Sequence, residues 1–187
     1  MANRVNIGPQ GTKLDWTNWG KPVTDAINDH ENRIAALEGQ RILAYGERLT
    51  NGTLTTTVEQ GYLRIDGIPI INGQSYRIWT SPLIFESSVA GDLITAFLRV
   101  NTAGAATTGS SPFTLLADDA KTASGNQKTK GLTILYNGVV TGSLSILLSY
   151  VRSTGTGNVR INASAAIPAQ MAIEAMGVNP GNTGISI

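Results

Sequence analysis

From Pro22 to Glu38 the apolar positions recur in a helical rhythm, and from Gln40 onward they alternate. Val23, Ile27, His30, Ile34 and Leu37 are spaced four, three, four, three, which lines one seam of a helix wound around partner helices. With Ile27 and Ile34 at a positions, Val23, His30 and Leu37 take the d positions. Pro22 suits the first helical position, and Asp25, Asp29 and Glu31 precede Arg33 in the order a helix dipole favours. Gly39 is a natural stop. Such a seam is too short to hold helices together alone, because helices of roughly a dozen residues are marginal in water. The downstream region must do most of the assembling.

Period two predicts strands over 41–50, 53–59, 61–66, 74–80, 83–87, 92–101, 112–117, 129–137, 143–152, 157–166 and 169–176. Leu63 and Ile65, Tyr76 and Ile78, and Val159, Ile161 and Ala163 each line one face. The run ILLSYV at 146–151 is apolar on consecutive positions and reads as buried on both faces. Asn51-Gly52, Asp66-Gly67, Asn72-Gly73 and Asn137-Gly138 are tight-turn signals, and 102–111 and 118–128 are long polar loops. The fold class expected is mainly β: an antiparallel sandwich of jelly-roll type behind an extended arm and one short coiled-coil helix. The expected divisions are an arm at 1–21, a helix at 22–39 and a sandwich at 40–187.

The arm, broken by Gly8-Pro9, Gly11 and Gly20, has no period yet carries Val5, Ile7, Leu14, Trp16 and Trp19. Two indoles so close together suit either folding back on the chain's own helix or insertion into another protein's groove.

Composition narrows the function classes. Charged residues are 14%, against about a quarter in ordinary domains. A net charge of +1 supplies no field for nucleic acid or an anionic membrane. The absence of Cys excludes disulfides and thiolate metal sites. No apolar run is long enough to span a bilayer, and the start lacks a secretory pattern, so the expectation is a soluble protein made in a cytoplasm and not exported by the usual route.

The sequence offers little chemistry. A Ser-His-Asp mechanism would have to borrow His30, the only histidine, from the helical seam. Glu47, Glu59, Asp66, Glu86, Asp92, Asp118, Asp119 and Glu174 include no pair whose spacing marks a glycosidase. Asp118-Asp119 reads as a solvated turn rather than a Ca²⁺ loop, and TGTGN at 154–158 as a turn rather than a nucleotide loop. Tyr62, Trp79, Tyr136 and Tyr150 could form a sugar-stacking platform, although strand aromatics are usually core. No enzyme activity, cofactor or metal is expected.

Within the helix, RIAALE resembles a trimerisation motif of coiled coils. Arg33 at g and Glu38 at e would flank the Ile34 and Leu37 layers across adjacent chains, although Ile at a with Leu at d ordinarily favours two strands. His30 at d would fix register at some cost in stability, and its protonation would bring like charges together at the axis. The trimer is the expected state, because jelly-roll subunits of fibrous assemblies commonly associate in threes.

Taken together, WTNWGKPVTDAIN, HENRIAALEG, LRIDGIPIINGQSYRIWTSPL (63–83), GTGNVRINASA and EAMGVNPGNTG resemble a class of small virion proteins of actinobacterial tailed phages. Members are variously described as capsid decoration proteins, head fibres or minor tail proteins. The resemblance covers nearly the whole chain and carries no catalytic residues. It implies a homotrimeric surface knob whose arm (Val5, Ile7, Leu14, Trp16, Trp19) docks on a capsid or tail protein. A stem of Val23, Ile27, His30, Arg33, Ile34, Leu37 and Glu38 would join the three chains. The rival expectation is a head that recognises a host surface glycan through loops 102–111 and 118–128.

Overall fold

A computed structural model of the chain describes residue 25 and residues 27–30, 42–119 and 129–178. The chain divides into two units, Met1–Gln40 and Arg41–Ile187. In the first, Asp25 and Ile27–His30 are helical, and all of these side chains are exposed. The remaining stem positions Val23, Arg33, Ile34, Leu37 and Glu38, and the arm residues Val5, Ile7, Leu14, Trp16 and Trp19, lie outside the described residues.

The second unit is an antiparallel β sandwich of strands β1 (Ile42–Arg48), β2 (Gln60–Ile70), β3 (Gln74–Thr80), β4 (Leu83–Ser87), β5 (Leu93–Asn101), β6 (Pro112–Asp119), β7 (Thr129–Lys130), β8 (Thr133–Asn137), β9 (Gly142–Thr154), β10 (Val159–Asn162) and β11 (Ala169–Val178). One sheet runs β2-β9-β5-β6; a second runs β1-β11-β3-β8; a three-stranded sheet runs β10-β4-β7. The third continues the second across a kink. Leu83 and Ile84 of β4 pair with Lys130 and Thr129 of β7, just as β3 pairs with β8, and β10 holds β4 as β11 holds β3. Counting each kinked pair as one strand leaves eight, ordered 1-8-3-6 and 2-7-4-5, the double Greek-key arrangement of a jelly roll.

Pro82 explains the kink, since it has no N–H to give to a ladder. Beside it, side-chain hydroxyls accept N–H groups of the two flanking strands. Leu132 N–H donates to Thr80 Oγ1 and Gln170 N–H to Ser81 Oγ, each at 2.9 Å.

Alternation places Ile68, Ile70, Ile94, Ala96, Leu98, Leu144, Ile146, Leu148 and Tyr150 inward from the first sheet, in one core with Tyr76, Ile78, Phe85, Val159, Ile161, Met171 and Ile173 of the kinked sheet. Each fully buried large side chain contributes about 1.5–3 kcal/mol of transfer free energy. Leu144–Tyr150 are buried on both faces; the run expected at 146–151 is therefore fully buried as far as Tyr150, with Val151 half-buried.

Several expectations need correction. Asp66-Gly67 is not a turn: β2 runs through it, and Gly67, at φ 74°, sits where the register with β9 shifts between Ile65 and Ile68. Both a turn and a bulge need a left-handed residue, so the dipeptide alone does not separate them. The Thr-rich segment 53–59 is not a strand but an irregular stretch with one bridge, Thr55 to Val159. The strand expected at 129–137 is split at Gly131-Leu132 by the kink. Asp118 and Asp119 belong to β6, opposite Ile94 and Leu93, rather than to a loop.

Candidate functional site

On the kinked sheet, the register sets Tyr45 of β1 opposite Ala172 of β11, Ala172 opposite Trp79 of β3, and Trp79 opposite Thr133 of β8. Ile78 and Ile173, one position along, point into the core, so this row lies on the outer face. In the next row outward, Glu174 faces Arg77 and Arg77 faces Leu135. Trp79 Nε1 donates to Glu174 Oε1 at 2.8 Å, and Arg77 Nε to Oε2 at 2.8 Å, with Nη2 adding a second bond to Oε2. Burial alone would raise the Glu174 pKa, but the Trp79 and Arg77 hydrogen bonds and the Arg77 charge hold it below its ordinary value. Arg77, Trp79, Thr80, Thr133 and Glu174 line an open groove of about 310 Å³. Its chemistry is an aromatic face beside a charge-neutral set of donors and acceptors.

Several other carboxylates are engaged elsewhere, and Glu59, Asp92 and Glu86 tie distant segments together. Glu59 receives Arg99 Nε at 2.6 Å and Nη2 at 2.5 Å, together with the Ser149 hydroxyl, while Arg99 Nη1 reaches Ser110 O. That network ties loop 102–111 down over the outer face of the first sheet. Asp92, buried, accepts from Ser87 Oγ at 2.5 Å and from the N–H groups of Thr156 and Gly157 at 3.0 and 2.9 Å. A Cβ on Gly155 or Gly157 would collide with its carboxylate, so the two glycines are what let turn 154–158 close over it. Burial pushes the Asp92 pKa up; the hydrogen bonds from Ser87, Thr156 and Gly157, and the charge of Arg152, outweigh it and bring the pKa below the ordinary value. Glu86 binds Arg160 at 2.9 Å and Asn162, Asp66 pairs with Arg64, and Glu47 accepts from Tyr45. Among the described residues no three metal-capable side chains cluster, and no helix is long and apolar enough to cross a membrane.

Of the four aromatics singled out by sequence, Tyr62, Tyr136 and Tyr150 are buried, and only Trp79 reaches the surface. Loop 102–111 is a loop, whereas residues 120–128 of the second candidate loop lie outside the described residues. Glu174 carried no distinguishing signal in the sequence, and Arg77 and Tyr45 were not singled out at all. The Arg77-x-Trp79 alternation was readable as one face; its partner ninety-odd residues away was not.

No protein-family model matches this chain, and no curated protein matches it in sequence. Solved structures with a similar course of strands include the C-terminal CBM6 of LamC from Zobellia galactanivorans (16% identity, TM-score 0.33, covering 72% of this chain and 95% of that one). Others are the Eiger TNF structure from S. frugiperda (7%, 0.37, covering 79% and 100%) and the infectious bursal disease virus VP2 subviral particle (14%, 0.37, covering 75% and 36%). At such identities and scores these likenesses carry no functional assignment.

Proposed function

We propose that this chain is a structural protein of a bacteriophage particle, a homotrimeric surface knob anchored by its N-terminal arm. The capsid surface, as decoration or head fibre, is preferred over the tail. The observation that carries this reading is that the edge strand of each large sheet bears exposed apolar side chains. Phe113 and Leu115 on edge strand β6, and Leu135 on edge strand β8, are 40%, 59% and 58% exposed, and the Phe113 ring meets Tyr136 at 5.4 Å. Unpaired strand edges bearing large apolar side chains are a hazard for a solitary domain and an asset for one that packs against sister copies. The sequence resemblance to actinobacterial phage virion proteins supplies the particle, and the helical residues Asp25 and Ile27–His30 suit a short stem.

Light scattering of the intact 19.7 kDa chain should give a trimer, and immunogold microscopy of purified particles should place it on the head. A stable monomer sinks the trimer, and particles free of the chain sink the virion role. A second reading, recognition of a host surface glycan, is favoured by the open groove at Trp79.

A further inference from the structure

We infer that the outer face of the kinked sheet binds a neutral oligosaccharide, with Trp79 as the stacking surface and the Arg77–Glu174 pair as the hydrogen-bonding group beside it. This rests on the recognition reading and not on the trimer or the virion, and it moves recognition from the loops to the sheet.

The ring comes first. Three of the four strand aromatics named from sequence are buried, while the largest one stands on an open face. Its N–H is held by Glu174, so the indole is oriented rather than free to swing. The C–H face of a sugar, apolar and edged with partial positive charge, complements the negative face of such a ring.

The polar groups come second. A carboxylate offers about four lone-pair sites, and Glu174 receives three bonds, from Trp79 Nε1 and from Arg77 Nε and Nη2. Arg77 Nη1 has no hydrogen-bond partner among the described residues. An acceptor and a donor therefore stand side by side, which is what a pair of adjacent hydroxyls requires: one gives its proton to the carboxylate, the other accepts from the guanidinium. The Thr133 hydroxyl can serve either way.

Charge and size narrow the ligand class. Arg77 and Glu174 cancel, so nothing in the groove rewards a sulfated or uronic-acid polymer. Its volume of about 310 Å³ lies at the lower end of the range of about 300–1,000 Å³ common to small-molecule sites. Tyr45, two strands from Trp79 and hence about 10 Å away across the sheet, offers a second ring for a ligand longer than one sugar.

The test uses the full chain against an immobilised panel of neutral oligosaccharides of galactose, glucose, mannose and N-acetylglucosamine, with sulfated and uronic-acid chains alongside. A neutral member should be retained, and titrating it should shift the Trp79 indole N–H resonance. Trp79→Ala should weaken binding about tenfold or more. Arg77→Ala, at a side chain 47% exposed, should weaken binding while leaving the fold intact, so the test survives if Trp79→Ala does not fold. Binding unchanged by either substitution overturns this site but leaves the recognition reading standing. Retention of the anionic chains alone overturns the ligand class. No retention of any member at millimolar concentration overturns both the site and the recognition reading.

Discussion

The two sheets treat their outer faces differently with the same pair of residue types. On the first sheet, Arg99 and Glu59 are 11% and 17% exposed, locked to Ser149 and to loop 102–111, with Leu147 buried nearby. On the kinked sheet, Arg77 is 47% exposed and meets Glu174 beside a partly exposed indole and an exposed Leu135. An arginine–carboxylate pair under a loop serves as a fastener, because removing one partner strands a desolvated charge. The same pair at an open face contributes little to stability and keeps donors and acceptors available to a ligand. The two carboxylates are equally covered, at 17% and 16%, so the exposure of the arginine, not residue identity, separates the two roles.

That contrast can be broken most severely at Arg99. Arg99→Ala should cost about 2–4 kcal/mol in urea unfolding, since Glu59 would keep only Ser149 and the loop would lose its tether at Ser110. A cost below that of an ordinary surface substitution would mean the first sheet is no more closed than the second. Next comes an aliphatic pair. Leu147→Ala should destabilise by about 2 kcal/mol, whereas Leu135→Ala should stay within about 0.5 kcal/mol in the isolated chain.

Acid gives a third handle. The Asp92 and Glu174 carboxyls both sit below their ordinary values of 3.8 and 4.5 in the folded chain. Their contribution is complete above those values and is lost as pH falls through the folded ones. Asp92→Asn should therefore flatten the acid limb of a stability-versus-pH curve, and an unchanged limb would remove Asp92 from the account. At the alkaline end, burial pushes Tyr62 and Tyr150 up to about 12, so they oppose unfolding fully below pH 10 and progressively less above it. Arg77→Ala should likewise have a small effect, costing no more than about 0.5–1 kcal/mol.

The sandwich was legible in the sequence where the physics is local. Alternation found the strands that bury one face, and the unbroken run at 146–151 announced the strand buried on both. Long-range features were not legible. Thr53–Val58 has strand-forming composition, but its backbone bonds are split between two partners, Thr55 with Val159 and Thr56 O with Arg152 N, and so form no ladder. The kink depends on Pro82 meeting Gly131-Leu132 across the sheet, a juxtaposition that neither segment reveals alone. The same limit governs the site. Parity put Trp79 and Arg77 on one side of β3, yet their carboxylate arrives from β11 through a pairing that closes nearly a hundred residues of chain.

The strand that opens the sandwich at Ile42 lies beside the one that ends at Val178, running the opposite way, so the first described strand begins and the last one finishes at the same end of one sheet. A chain arranged like this can be re-threaded. Joining those two ends with a short peptide and cutting instead at the exposed Val89-Ala90 corner would change the order of synthesis while leaving every strand with its present neighbours.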